Sequence, residues 1–181
     1  FSGHEAVARA SGADDILTNA HIYHSLDEAI ADSGFVVGAT ARFRSIAWPC
    51  CPPAEAMTEV LERSEYSPVS LVFGREASGL TNAELDRCQL HVRIPVHEDF
   101  PSLNLAAAVL IFGYELRLAY SDEDDVSDGA SDRSLSLASA EQVQGFFGHL
   151  EAVLHEIGFL KTPSVRLLRK VKRIFSRTPL Q

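Results

Sequence analysis

Apolar and polar positions change period repeatedly along this chain, and each change marks an element. "SLDEAIADS", from Ser25, pairs Ser25 with Glu28 as a capping box and runs on as a short amphipathic helix. "GFVVGAT" (34–40) is a continuous apolar run of strand length ending in small residues, the pattern of a buried parallel strand. "PPAEAMTEVLERS" (52–64) returns to helical spacing, with proline where a helix begins. "VSLVF" (69–73) predicts a second buried strand, broken at Gly74. Thr81 and Glu84 then form a capping box opening a helix over 81–88. "LHVRIPV" (90–96) alternates, which predicts a third strand near a sheet edge. After the loop "HEDFPS", the segment 102–120 is a long, apolar, alanine-rich helix.

Strands alternating with helices predict an α/β fold, a mostly parallel sheet with helices on both faces. Residues 1–120 form that core domain. A Ser/Asp-rich linker follows over 121–138, and a helical, basic extension over 139–181. No internal repeat is evident.

Composition changes this picture little. The hydrophobic share of 46% and charged share of 23% are ordinary for a soluble domain. No run approaches the ~18 apolar residues of a membrane span. The N-terminus lacks the basic start and apolar stretch of a signal peptide. The chain opens without Met, as expected if it begins inside a longer gene product. Net charge is −9, yet "VRLLRKVKRIFSR" (165–177) is strongly basic and "SDEDDVSDGASD" (121–132) acidic, so the total says little about local partners. Cys50, Cys51 and Cys88 have no metal or disulfide spacing, and the seven histidines no metal spacing, so reduced thiols, a cytoplasmic location and no metal are expected.

The chemistry gathers at three strand ends: 39–42, 74–76, and the segment from Ile94 through 102–104. In a parallel sheet they share the carboxyl edge, where open α/β sheets bind ligands. "FGREASGLTNAEL" (73–85) puts Gly74, Arg75 and Glu76 on a tight bend at that edge. Neither dinucleotide nor P-loop glycine motif is present, and a nucleotide-phosphate enzyme would need a carboxylate and a Lys that are not evident here.

"LVFGREASGLTNAEL" followed by "IPVHEDFPSLNLAAAVLIFGYEL" resembles motifs two and three of the SpoU-type, or SPOUT, RNA 2′-O-methyltransferases. "VVGATARFRSIAWP" and "FFGHLEAVLHEIGFL" resemble the TrmJ branch of that family, which methylates the ribose at position 32 of the tRNA anticodon loop. The resemblance spans nearly the whole chain. It implies a C-terminal trefoil knot in the core fold, S-adenosylmethionine as cofactor, tRNA as partner, and a homodimer. It places cofactor contacts on Ala39, Thr40, Ala41, Gly74, Ile94, Pro101, Ser102 and Leu103, and matches Glu76 and Asn104 to the family's polar positions. The family's first motif, an Asn and an Arg beside an early helix, is expected upstream of Phe1, as in a homologue without its first strand, helix and second strand.

A ribose hydroxyl is a weak nucleophile and needs a base or a cation beside it. The candidates are Arg75 and Glu76 from one loop and Ser102 and Asn104 from another. Each has a plainer role open to it. Glu76 can cap the 81–88 helix or pair with Arg75, Asn104 can bond its own backbone, and Ser102 can be an N-cap. Arg42 and Arg44 can meet RNA phosphate or simply be solvated, and Trp48 can shield a pocket or pack. The basic tail can clamp tRNA or be a solvated helix. The rival readings are a non-catalytic RNA- or cofactor-binding module and a ribosomal-RNA methyltransferase.

Overall fold

The computed structural model describes residues 3–41, 49–100, 103–124, 138–160 and 165–175. The readings that fall on Arg42, Arg44, Trp48, Pro101, Ser102 and most of the linker lie outside them. In chain order the elements are α1 (His4–Arg9), α2 (Asp14–Thr18), α3 (Leu26–Ala29), β1 (Phe35–Ala39), β2 (Cys50–Cys51), α4 (Pro53–Ser64), β3 (Val69–Val72), α5 (Asn82–Leu85), β4 (Leu90–Val92), α6 (Leu105–Asp124), α7 (Ala140–Glu156) and α8 (Val165–Phe175).

The four strands form one parallel sheet in the order β2-β4-β1-β3. Helices cover both faces, and the strand period of two decides which residue meets which helix. Phe35 and Val37 of β1, with Leu90 and Val92 of β4, face Met57 and Val60 of α4 and Phe112 of α6. Val36 points the other way and packs with Ile30, Cys88 and Ala140. Gly38 shares that second face, where a Cβ would stand 2.8 Å from Cys88 Sγ and 3.2 Å from Leu85 Cδ2. Glycine there lets α5 seat against the sheet. Burial pushes the Cys88 thiol up to about 12, so it is a packing group rather than a nucleophile.

β4 lies one strand in from the edge, between β1 and β2, as its alternation suggests, but all three of its residues are buried. His91 is one of them, with Nε2 donating to the Leu85 carbonyl at 3.0 Å. The edge beyond β4 is the two-residue β2, which the sequence reading missed. The capping box at Ser25 is also modified. Ser25 Oγ accepts from the Glu28 amide at 3.2 Å, but Glu28 Oε2 takes the amide of His24, one residue earlier than the box requires, at 3.0 Å.

α6 runs on to Asp124, so the first four residues assigned to the linker are helical. α7 opens on a full capping box between Ser139 and Gln142. Its first turn joins the core: the Ala140 amide donates to the Ser33 carbonyl at 2.6 Å.

Candidate functional site

The carboxyl ends of β1, β3 and β4 converge on one cleft. Ala39, Thr40 and Ala41 come from the end of β1, Gly74, Arg75 and Glu76 from the loop after β3, and Ile94 from the exit of β4. Leu103 and Leu105 close it from the start of α6. The structure thus brings together the described residues expected to contact cofactor. It also adds apolar wall from the long helix α6. Phe112 reaches the cleft from α6 and meets Phe73 edge-on, with ring centroids 5.0 Å apart.

The loop after β3 is held as a closed clasp. Gly79 N–H donates to the Arg75 carbonyl at 2.7 Å, and Arg75 N–H returns to the Gly79 carbonyl at 3.4 Å. Gly79 makes the turn at φ +65°, a region glycine occupies freely. Gly74 has a different reason: its Cα faces the Gly79–Leu80 peptide so closely that no side chain fits.

Arg75 and Glu76 leave this clasp in separate partnerships, and neither plainer role suggested for Glu76 is observed. Glu84 performs both. It forms the capping box with Thr81 and holds the Arg75 guanidinium with both oxygens, at 3.0 and 3.2 Å. The Arg75 hydrogen bonds, then the Thr81 amide, hold the Glu84 carboxyl down at about 2. Such a lowered group stabilises the fold above its ordinary range near 4.5, and that contribution is lost as pH falls toward 2. The thermal midpoint of the wild type should therefore exceed that of Glu84→Gln at pH 5, and the gap should narrow steadily toward pH 2. A gap independent of pH across that interval would mean the carboxylate charge is not what holds the clasp.

Glu76 instead bridges the two loops. Its Oε2 accepts the Leu105 amide at 2.8 Å, while Asn104 Oδ1 accepts those of Ala106 and Ala107 at 2.9 and 3.3 Å. The first three amides of α6, which have no partners within the helix, are thereby satisfied by side chains. Asn104 takes the plainer of its two roles: it is the N-cap, and the cleft wall takes its neighbours Leu103 and Leu105 but not Asn104 itself. Glu76 keeps acceptor capacity, since a carboxylate offers about four lone-pair sites and Leu105 uses one. The sequence offered no signal for a Glu76–Leu105 bond across 29 positions.

An apolar cleft with backbone groups at strand ends and one acidic rim residue suits a flat heterocycle joined to a polar tail. Among the described residues no cluster of three His, Cys, Asp or Glu is placed to hold a metal, and no helix is long and apolar enough to cross a membrane.

Comparison with known proteins agrees with this architecture. Residues 1–114 match the SpoU rRNA Methylase family, and residues 141–181 match the C-terminal domain of the tRNA methyltransferase TrmJ. A tRNA (cytidine/uridine/adenosine-2′-O-)-methyltransferase TrmJ from Pseudomonas aeruginosa is 42% identical, over 99% of this chain and 73% of the relative. A tRNA (cytidine/uridine-2′-O-)-methyltransferase TrmJ from Photorhabdus laumondii is 38% identical, over 95% of this chain and 71% of its own length. The crystal structure of TrmJ from Z. mobilis superposes with a TM-score of 0.76 at 28% identity, covering 97% of this chain and 73% of that one. The chain belongs to the SpoU methylase family, in its TrmJ branch.

Proposed function

We propose that this chain transfers a methyl group from S-adenosylmethionine to a ribose 2′-hydroxyl of tRNA, with position 32 of the anticodon loop as the acceptor. The observation that carries this reading is the convergence of Gly74, Glu76, Ile94 and Leu103 on one cleft in a chain of this family. When bound, the cofactor supplies an electrophilic methyl on sulfur. The chain's own residues do the rest. Ala39, Thr40 and Ala41 with Ile94 line the sheet side of the cleft, where small side chains leave backbone polar groups within reach. Gly74 brings the clasp backbone to the other side. Phe73 and Phe112 exclude water from beneath.

Of the four candidates for activating the hydroxyl, Glu76 is the described side chain best placed to accept its hydrogen bond. Arg75 supplies a rim cation whose charge Glu84 already balances. Asn104 acts as a positioning residue by ordering α6, and Ser102 remains a candidate by resemblance. Glu76→Ala should lower the single-turnover rate by about tenfold or more, whereas Glu76→Gln, which can still accept from Leu105, should lose less. Equal losses in the two variants would assign Glu76 to proton acceptance alone. No loss in either would remove it from the site.

The reading includes a core domain with a C-terminal trefoil knot, followed by a linker and a basic extension, and a cytoplasmic homodimer. The homodimer is supported by α6, whose Leu110 (73% exposed), Tyr114 (59%) and Leu118 lie four residues apart on one open apolar stripe. The test is labelled methyl transfer from S-adenosylmethionine to unmodified tRNA or to ribosomal RNA. Label on tRNA alone supports the reading; label on ribosomal RNA alone replaces it with the other branch of the family.

A further inference from the structure

Two consecutive residues at the end of α5 carry long-range ion pairs. Asp86 Oδ2 accepts from Arg169 of α8, with Nε and Nη2 each at 2.7 Å, and both side chains are only about one-quarter exposed, at 25% and 26%. Arg87 pairs with Asp27 of α3, which also accepts from Gln144 of α7 at 3.0 Å. The Asp86–Arg169 pair and the Gln144–Asp27 hydrogen bond fasten the extension to the core, and Arg87 ties that same Asp27 to the end of α5. The same short turn carries Glu84, two positions before Asp86, which holds Arg75 at the cleft rim. One rigid turn therefore links the rim of the cleft to α8.

The sequence of α8 holds five cations, Arg166, Arg169, Lys170, Lys172 and Arg173, and no acidic residue. Its far end is seated by aromatic contacts: Phe175 meets Phe146 and Phe147 edge-on at 5.1 and 5.9 Å. The Arg169 guanidinium is committed to Asp86. We propose that Asp86 is a positioning residue for RNA: by holding Arg169 it fixes the basic helix α8 at a set place relative to the cleft, so that this helix meets the phosphates of a bound tRNA in register. The inference rests on the reading of the chain as a tRNA methyltransferase.

Charge alone makes the opposite forecast. Asp86→Asn removes a negative charge beside a cationic helix, so a loosely tethered α8 would bind RNA more tightly. A positioned α8 binds more weakly. If the docked population falls to a tenth, the apparent Kd for tRNA rises about tenfold. The experiment compares the wild type with Asp86→Asn, Asp86→Arg, Arg169→Asp and the charge-swapped double variant, using unmodified tRNA as the probe. The expected result for Asp86→Asn is a rise of about tenfold in Kd and in KM for tRNA, with kcat at saturating RNA and affinity for S-adenosylmethionine unchanged. The double variant should recover most of the affinity that each single charge change loses. RNA affinity unchanged or tighter in Asp86→Asn, or a double variant no better than its singles, overturns the inference while the methyltransferase reading stands. A wild type that neither binds nor methylates tRNA overturns both.

Discussion

Gly74→Ala is expected to abolish useful binding of S-adenosylmethionine while leaving the sheet folded. A Cβ at this position would lie 2.1 Å from the Gly79 carbonyl carbon and 2.3 Å from the Leu80 nitrogen. Both are backbone atoms, so no side-chain rotation relieves the overlap. The clasp has to open, which breaks the paired hydrogen bonds between Arg75 and Gly79 and carries Glu76 away from Leu105. Loss of the clasp wall should weaken cofactor binding by at least about a hundredfold, equivalent to roughly 3 kcal/mol. Gly79→Ala is the matched control. Its Cβ meets nothing within 4 Å, so it suffers only the strain of φ +65°, about 1 kcal/mol. Calorimetric titration of both variants checks this. Binding by Gly74→Ala within threefold of wild type would show that the clasp is not a wall of the site.

Phe112→Ala should produce the largest loss of stability. Phe112 is 2% exposed, is among the largest fully buried side chains, and belongs to the cluster between α4, α6 and the sheet. Truncation removes its burial and its edge contact with Phe73, and leaves a space that rigid neighbours fill only in part. The expected cost is about 3–5 kcal/mol. Because the same ring lines the cleft, cofactor affinity should fall with stability. Phe112→Leu, which refills part of the volume, should recover more than half of the stability. Denaturant midpoints with an unchanged slope are the measure. A cost below about 1 kcal/mol would mean that the α4–α6 layer closes over the space, and that the cleft floor is softer than its packing indicates.

The parallel sheet, its helices and the cleft at its carboxyl edge were legible because β1 and β3 are continuous apolar runs bounded by small residues, and α4 has clear helical spacing. The errors have local causes. The burial of His91 in β4 was not legible, because only the tertiary contact with the Leu85 carbonyl accounts for a histidine there. β2 was missed because Cys50 and Cys51 sit between prolines and become a strand only through pairing with β4. At the site, Gly74, Glu76, Ile94 and Leu103 were marked from strand ends and motif resemblance. Their partners were not, since Glu76–Leu105 and Arg75–Glu84 are tertiary or medium-range bonds without a sequence period. That the Phe112 ring both fills the core and floors the cleft depends on where α6 crosses the sheet.

The central claim is 2′-O-methylation of tRNA by this chain. The most direct measurement is transfer of labelled methyl from S-adenosylmethionine to unmodified tRNA, followed by nucleotide mapping of the product. The account predicts label on a ribose 2′-oxygen in the anticodon loop, at position 32, and none on tRNA carrying a 2′-deoxy nucleotide there. Label on a base, or equal label on the deoxy substrate, would contradict it.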